Sequence, residues 1–396
     1  MLLEFSVTNF RSIREKQTIS LLKTKKNELS NNFTTITLST GKTIDILNSA
    51  VIYGANASGK SNLVLALKTM MDIIKEDDDL NFLYRANIHL ITPFLLDGNS
   101  KNIPTEFEID FVDDNGVRFV YGFSATTEKI IDEWLYQYPK GRPQILIDRE
   151  DTNTWGSTTA LKGHKKTWQD NTVDYRLFLS VAKELNSDQL IYVYNEILNI
   201  QPMLSDFSTD DTSIELNDKD YKNKILDFMH IADSQIMDIK ISENHFNFSE
   251  DDSFDVDVYI IRDIDGSKVE FNIYEESSGT QKIFALASWW LHVLNNGQTL
   301  ILDELQNSLH PKLVEHLVKM FHNPELNKKG AQLIFTTHES SLLDQEIFRR
   351  DQIWFCEKES NATEVFSLTD FKVRKGVDDL EKAYLSGRYG AVPFLE

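Results

Sequence analysis

The apolar positions lay out the elements before any chemistry enters. Leu3, Phe5 and Val7 alternate with polar residues and predict a first strand, with a turn at Asn9–Ile13. Residues 14–44 are polar and mixed, a stretch of strand and loop. Ala50-Val51-Ile52-Tyr53 is a short buried strand that runs into small residues and glycine. Leu63, Ala66, Leu67, Met70, Met71 and Ile74 then recur at helical spacing, and charge from Lys75 to Asp79 ends that helix. Between 89 and 150 the period is two. Phe107, Ile109 and Phe111 alternate, Asp113-Asp114-Asn115-Gly116 turns the chain, and Val117, Phe119 and Tyr121 alternate again, which predicts a hairpin. Trp134 to Ile147 predicts further strands, and 173–240 reads mostly helical, with Phe178, Val181, Ala182 and Leu185 on one face. A strand over 268–274 precedes a helix from near Gln281 that carries Trp289 and Trp290. The strand Thr299–Leu302, a helix beyond Pro311, and strands at Leu333–Phe335 and Ile353–Phe355 follow. This alternation implies a parallel α/β sheet. No heptad run or internal repeat is sustained, so a long coiled-coil arm is not expected.

The 396 residues allow two or three folding units. With 41% hydrophobic and 26% charged residues, the composition is globular and excludes wholesale disorder. A net charge of −21 argues against a simple electrostatic binder of DNA or anionic membrane. Much of that charge is local: 201–265 holds 17 Asp/Glu and 5 Lys/Arg, which reads as a solvated face or a docking surface for a basic partner. The lone Cys356 excludes an internal disulfide and, within an apolar strand, reads as core. The longest apolar run, Ile283 to Leu294, is interrupted by Ser288 and His292 and falls short of the ~20 residues of a membrane span. The N-terminus lacks the pattern of a signal peptide, so a soluble, cytoplasmic protein with no membrane contact is expected.

Four motifs carry chemistry. Gly54-x4-Gly59-Lys60-Ser61, between a buried strand and an amphipathic helix, fits a phosphate-binding loop. Its backbone N–H groups and the helix N-terminus face an anion. Gly54, Asn56, Ala57, Ser58, Gly59, Lys60, Ser61 and Asn62 are the expected nucleotide cradle, with Lys60 on the β- and γ-phosphates and Ser61 on Mg²⁺. Leu300-Ile301-Leu302-Asp303-Glu304 buries a strand and delivers two carboxylates at its C-terminal end, the edge where open α/β sheets bind ligands. Read alone it is a turn; read with a phosphate loop, Asp303 holds Mg²⁺ and Glu304 polarises the attacking water. Glu276-Ser277-Ser278-Gly279-Thr280-Gln281 is a helix-capping pattern. It is also a second anion-binding helix start, able to face the phosphate loop of another copy. Thr336-Thr337-His338 ends an apolar strand, where a neutral imidazole can hydrogen-bond a γ-phosphate.

In this order the four motifs resemble those of ABC-type ATPase heads of the SMC/RecF/OLD branch. The resemblance implies an α/β fold: an ABC-type P-loop ATPase head with a mixed or parallel core sheet, an antiparallel β subdomain and a helical insertion. The expected parts are 1–150, 151–265 and 266–396. Asn9-Phe10-Arg11-Ser12-Ile13 resembles the branch's N-terminal turn, which puts Arg11 and Ser12 at the nucleotide. Asp303 to Pro311 looks like the OLD-like version of its segment and puts His310 at the D-loop position of a dimer interface. Ile91-Thr92-Pro93-Phe94 and the tail Tyr384 to Pro393 resemble the stand-alone bacterial ATPases of abortive-infection and restriction-linked operons, the RloA/AbiL-like group. Three departures stand out. No Q-loop glutamine is placed, Thr280 replaces a glycine, and the 58 residues after His338 hold no carboxylate cluster of a Toprim domain.

The resemblance implies ATP and Mg²⁺ as cofactors and slow hydrolysis that works as a conformational clamp. It implies a head-to-tail homodimer or higher homo-oligomer, with Ser278 and Gly279 acting on the opposite subunit's ATP. It further implies antiphage defence through an effector encoded nearby, a Toprim-like nuclease or toxin, with nucleic acid reached only through that partner. Three rivals stand beside it. A RecF-like DNA-repair ATPase would need a basic track from Lys162, Lys165, Lys166, Arg374 and Lys375. The others are a self-contained nuclease and an ATP-binding scaffold without hydrolysis.

Overall fold

The computed structural model describes residues 1–76, 87–203, 212, 216, 218–243, 256–374 and 379–393. Its centre is a six-stranded sheet ordered β11 (Ile200–Met203), β15 (Thr299–Leu302), β16 (Gln332–Thr336), β5 (Ser49–Gly54), β17 (Ile353–Glu359) and β18 (Ala362–Ser367). The first five are parallel and β18 closes the edge antiparallel to β17. Every residue of β5, β15 and β16 is buried, as expected of strands covered on both faces.

The two faces are separate cores, and the period of two assigns residues to them. Ala50 and Ile52 point to a cluster holding Leu63, Leu67 and Ile74 of the helix Lys60–Lys75. Val51 and Tyr53 point to a cluster with Phe284 and Trp290 of the helix Ser278–Asn296 and Phe321 of the helix Pro311–His322.

A seven-stranded antiparallel sheet lies beside the first core. Its order is β10 (Thr154–Trp155), β9 (Gln144–Glu150), β8 (Ile130–Gln137), β7 (Arg118–Ala125), β6 (Thr105–Val112), β1 (Leu2–Thr8) and β2 (Gln17–Ser20). The predicted hairpin is β6–β7. Asp113 Oδ1 accepts from the N–H groups of Asn115 and Val117, and Gly116 takes φ +73° in the turn. Gln332 joins the two sheets. Its Oε1 accepts from Leu2 N and Thr299 Oγ1, while its Nε2 donates to the carbonyls of Leu2 and Leu47. All of its amide capacity is spent, which makes a buried amide tolerable.

The architecture is therefore the expected α/β one, a parallel core sheet plus an antiparallel β subdomain. The 173–240 stretch differs from the helical reading. Short helices at Phe178–Glu184, Asp188–Ile197 and Lys219–Met229 are interrupted by β11 and followed by β12 (Ile236–Glu243). β12 pairs with β13 (Val256–Ile264), which pairs with β14 (Ser267–Asn272). β11 was hidden because Ile200-Gln201-Pro202-Met203 is an edge strand with one apolar face. The acidic stretch lies partly outside the described residues. Within them, Lys222 pairs with Asp238, Lys240 with Glu270, and Arg262 with Asp233 and Glu276. Asp77, Asp78 and Asp79 of the charged run after Lys75, and the basic Lys375, also lie outside them. Among the described residues no helix is long and apolar enough to cross a membrane.

Candidate functional site

The C-terminal ends of β5, β16 and β15 lie side by side, because Leu302 pairs with Phe335 and Thr336 with Ile52. That register brings the phosphate-loop, Asp-Glu and histidine motifs to one sheet edge. β5 ends at Gly54, where an added Cβ would lie 2.4 Å from the Cys356 carbonyl oxygen. Ala57 then adopts φ +63° and Gly59 φ +109°, and the helix begins at Lys60. Asn56 and Ala57 are exposed, while Ser58 and Lys60 are buried. The Lys60 ammonium folds back on its loop and donates to the carbonyls of Gly54 (2.7 Å) and Ala55 (3.0 Å). Burial lowers its pKa against the pull of Asp303 and Glu304. Ser61 opens the helix with an exposed side chain.

The carboxylates are held by a residue that the motif reading passed over. The fully buried Thr336 donates its hydroxyl to Asp303 Oδ1 at 2.6 Å and accepts from the Glu304 N–H at 2.8 Å. Glu304 turns off the strand with φ +50°, a conformation that costs a non-glycine residue free energy unless its surroundings fix it. Its Oε2 accepts from Asn307 Nδ2 at 2.7 Å. Its Oε1 lies 3.7 Å from His338 Nε2, too far for a direct hydrogen bond. Burial, then the Lys60 charge, push the His338 pKa down from its ordinary value against the pull of Glu304 and Asp303, which favours the neutral imidazole. The oxygen donors Ser61 and Asp303 are the hard ligands Mg²⁺ takes.

The other expected residues are placed as follows. Ser278 and Gly279 open the helix Ser278–Asn296, earlier than the predicted Gln281, because Ser277 caps it by accepting from Thr280 N. Thr280, in the glycine position, bonds the Ser277 hydroxyl at 2.9 Å. Gly279 packs against the loop before Pro311 of its own chain: a Cβ there would lie 3.1 Å from the Ser308 carbonyl oxygen. His310 caps the helix Pro311–His322, its Nδ1 accepting from Lys312 N at 3.1 Å. Neither Ser278, Gly279 nor His310 lines the cleft beside the phosphate loop.

Arg11 is exposed, with φ +52°, and its backbone N–H donates to the Thr92 carbonyl. Asn9 fixes the rest of that turn by accepting from Phe94 N and donating to the carbonyls of Ser100 and Ile103. This ties together the two N-terminal motifs. Ser12 bonds Thr363 Oγ1 at 2.8 Å and accepts from Asn62 Nδ2 at 2.7 Å. Thr363 had no signal in the sequence. Thr336 had one, a threonine ending a buried strand beside an Asp-Glu strand.

A cleft of about 730 Å³ runs along Gly54–Ser58, His338, Ser340 and Cys356–Lys358. Its far wall is the C-terminal tail, with Tyr384, Leu385 and Ala391–Pro393. Tyr384 packs on Tyr53 and stacks on Phe355, and Ser340 donates to Glu381. Cys356 is core, its thiol pushed up to about 12 by burial. Among the described residues no group of three or more His, Cys, Asp or Glu could hold a metal ion.

Residues 49–344 match the family model described as "AAA domain, putative AbiEii toxin, Type IV TA system". No curated protein matches the sequence. Among solved structures, the chain is similar to the SMC head domain of Thermotoga maritima, at 13% identity and a TM-score of 0.44 over 94% of this chain and 99% of that one. It is also similar to the Smc head with coiled coil and joint of Pyrococcus yayanosii (11%, TM-score 0.47, 98% and 99%). A third is the recombination mediator protein RecF-ATPrS of the RecFOR pathway (12%, TM-score 0.41, 92% and 98%).

Proposed function

The chain belongs to the AAA-domain family described as putative AbiEii toxin, Type IV TA system, and on that premise we propose a Mg²⁺-dependent ATPase that clamps a second copy and controls a partner effector in antiphage defence. One observation carries the catalytic part. The Thr336 hydroxyl fastens Asp303 and Glu304 at the strand end beside the loop that holds Lys60. Lys60 swings from the carbonyls of its own loop to the β- and γ-phosphates of ATP. Ser61 and Asp303 would hold Mg²⁺, which would supply charge neutralisation at the phosphates. Glu304 takes the proton of a water whose oxygen attacks the γ-phosphorus. The bond to the bridging oxygen breaks, and ADP and phosphate leave. The neutral His338 bonds a γ-phosphate oxygen, while Arg11, Asn56 and Asn62 border the nucleotide.

Ser278 and Gly279 do not line the cleft beside their own phosphate loop, and on this reading a single chain leaves the γ-phosphate side open to a second copy. A helix N-terminus binds anions, and head-to-tail pairing brings the partner's Ser278 and Gly279 onto the ATP, with His310 beside the contact. The family description, with its toxin, supports the defence reading. Phosphate release with ATP and Mg²⁺ tests the reaction. Wild type releases phosphate, Glu304→Gln binds ATP without turnover, and Lys60→Ala does not bind. Equal release by wild type and Glu304→Gln would remove Glu304 as the base, and ATP binding without any release would favour a scaffold.

A further inference from the structure

We propose that Thr363 is a positioning residue that sets the phosphate loop through a one-way chain of hydrogen bonds. The inference rests on the reading of residues 54–62 as the nucleotide cradle and extends it to a residue outside every motif. Thr363 Oγ1 lies 2.8 Å from the Ser58 carbonyl oxygen and 2.8 Å from Ser12 Oγ. A carbonyl only accepts and a hydroxyl has one proton. Thr363 therefore donates to Ser58, and the Ser12 hydroxyl must donate to Thr363. Asn62 Nδ2 supplies the proton that Ser12 Oγ accepts, at 2.7 Å. The direction is fixed throughout: Asn62 to Ser12 to Thr363 to the loop carbonyl. Thr363 N also donates to the Ser12 carbonyl at 2.7 Å, so both the backbone and the side chain of Thr363 hold the N-terminal turn.

Two consequences follow for the site. Ser12 has spent its proton inside the protein, so it acts on the nucleotide through loop geometry and not as a donor to phosphate. The close approach also explains why position 59 must be glycine. A Cβ there would stand 2.0 Å from Thr363 Oγ1 and 2.9 Å from Ser12 Oγ, at a backbone φ of +109°. Thr363 is fully buried, so water cannot replace its hydroxyl if it is removed. The chain joins the first turn of the protein, the nucleotide loop and the edge strand β18, three segments far apart in sequence.

The test is ATP affinity and turnover of the full-length protein with Thr363→Val, which keeps the shape and removes the hydroxyl, and with Thr363→Ser, which keeps the hydroxyl. The expected result is an approximately tenfold weaker Kd for ATP–Mg²⁺ and a matching rise in KM for Thr363→Val. The kcat at saturating ATP should stay within about twofold of wild type, and Thr363→Ser should restore the affinity. Ser12→Ala breaks the same chain from the other side. It should weaken ATP to a similar degree and add little on top of Thr363→Val. If Thr363→Val fails to fold, Ser12→Ala alone carries the test. ATP affinity equal to wild type in a folded Thr363→Val or Ser12→Ala protein would overturn the proposal, as would a Thr363→Ser protein no better than Thr363→Val. Failure of the underlying reading looks different, since then wild type itself would not bind ATP.

Discussion

Thr336→Val removes one hydroxyl and leaves the shape of the side chain. In wild type that oxygen donates to Asp303 Oδ1 at 2.6 Å and accepts from Glu304 N at 2.8 Å, in a residue with no exposed surface. A hydrogen bond to a charged group contributes about 1.5–3 kcal/mol, and a buried N–H left without a partner costs about 1–3 kcal/mol. The two losses together are on the order of 3–5 kcal/mol before relaxation. Part appears as lower stability, because the Glu304 φ of +50° loses one of its restraints. The rest appears in the transition state, where both carboxylates must be aimed. If one third to one half of the loss is felt there, kcat falls about 5- to 70-fold. The Mg²⁺ concentration for half-maximal rate should rise as well, since Asp303 is no longer oriented. Phosphate release against ATP and Mg²⁺ gives both quantities, and Thr336→Ser should keep most of the rate. A Thr336→Val protein with wild-type kcat and wild-type Mg²⁺ dependence would refute the reasoning.

Two further outcomes are expected. Gly279→Ala places a Cβ 3.1 Å from the Ser308 carbonyl, a contact that a small shift can relieve. Its melting temperature should stay within a few degrees of wild type while ATP-dependent dimerisation, read by sedimentation, is lost; retained dimerisation would exclude this helix start from the interface. His322 is buried against Ser49, and burial, aided by the Lys319 charge, pushes its pKa from 6.5 to about 3. A depressed pKa gives stability that is complete above about pH 6.5 and is lost as pH falls toward about 3, on the order of 4–5 kcal/mol in all. Urea midpoints between pH 7 and 4 should fall more steeply for wild type than for His322→Gln, and parallel curves would contradict this.

The sequence made most of the core legible, for a physical reason. A strand covered on both faces must be apolar throughout, so Ala50–Tyr53 and Thr299–Leu302 announce themselves, and glycine and proline mark the loops between. The residues at the strand ends follow from the same logic, which is why Lys60, Asp303, Glu304 and His338 come together at one edge. Edge strands were not legible. β11 is short and half polar, and it is recruited by pairing with β15 rather than by its own pattern. Tertiary pairing also overrode the helical reading at β12, whose Ile236 and Ile239 pack into the second core. The residues that hold the site were hidden for another reason. Thr363 and Asn307 act through single polar atoms, and a lone threonine or asparagine in a loop or hairpin has no period or spacing to betray it. Tyr384 could be linked to a tail motif, but its contact with Tyr53 joins residues over 300 positions apart.

The central claim is that two copies close around ATP, each completing the other's site. Sedimentation of Glu304→Gln with ATP and Mg²⁺ tests it most directly, beside the same protein with ADP and beside Lys60→Ala with ATP. The account predicts a dimer in the first case and monomers in the other two, with the dimer lost again in Glu304→Gln/Gly279→Ala. A sedimentation coefficient that does not change with the nucleotide, in a protein that binds ATP, would contradict it.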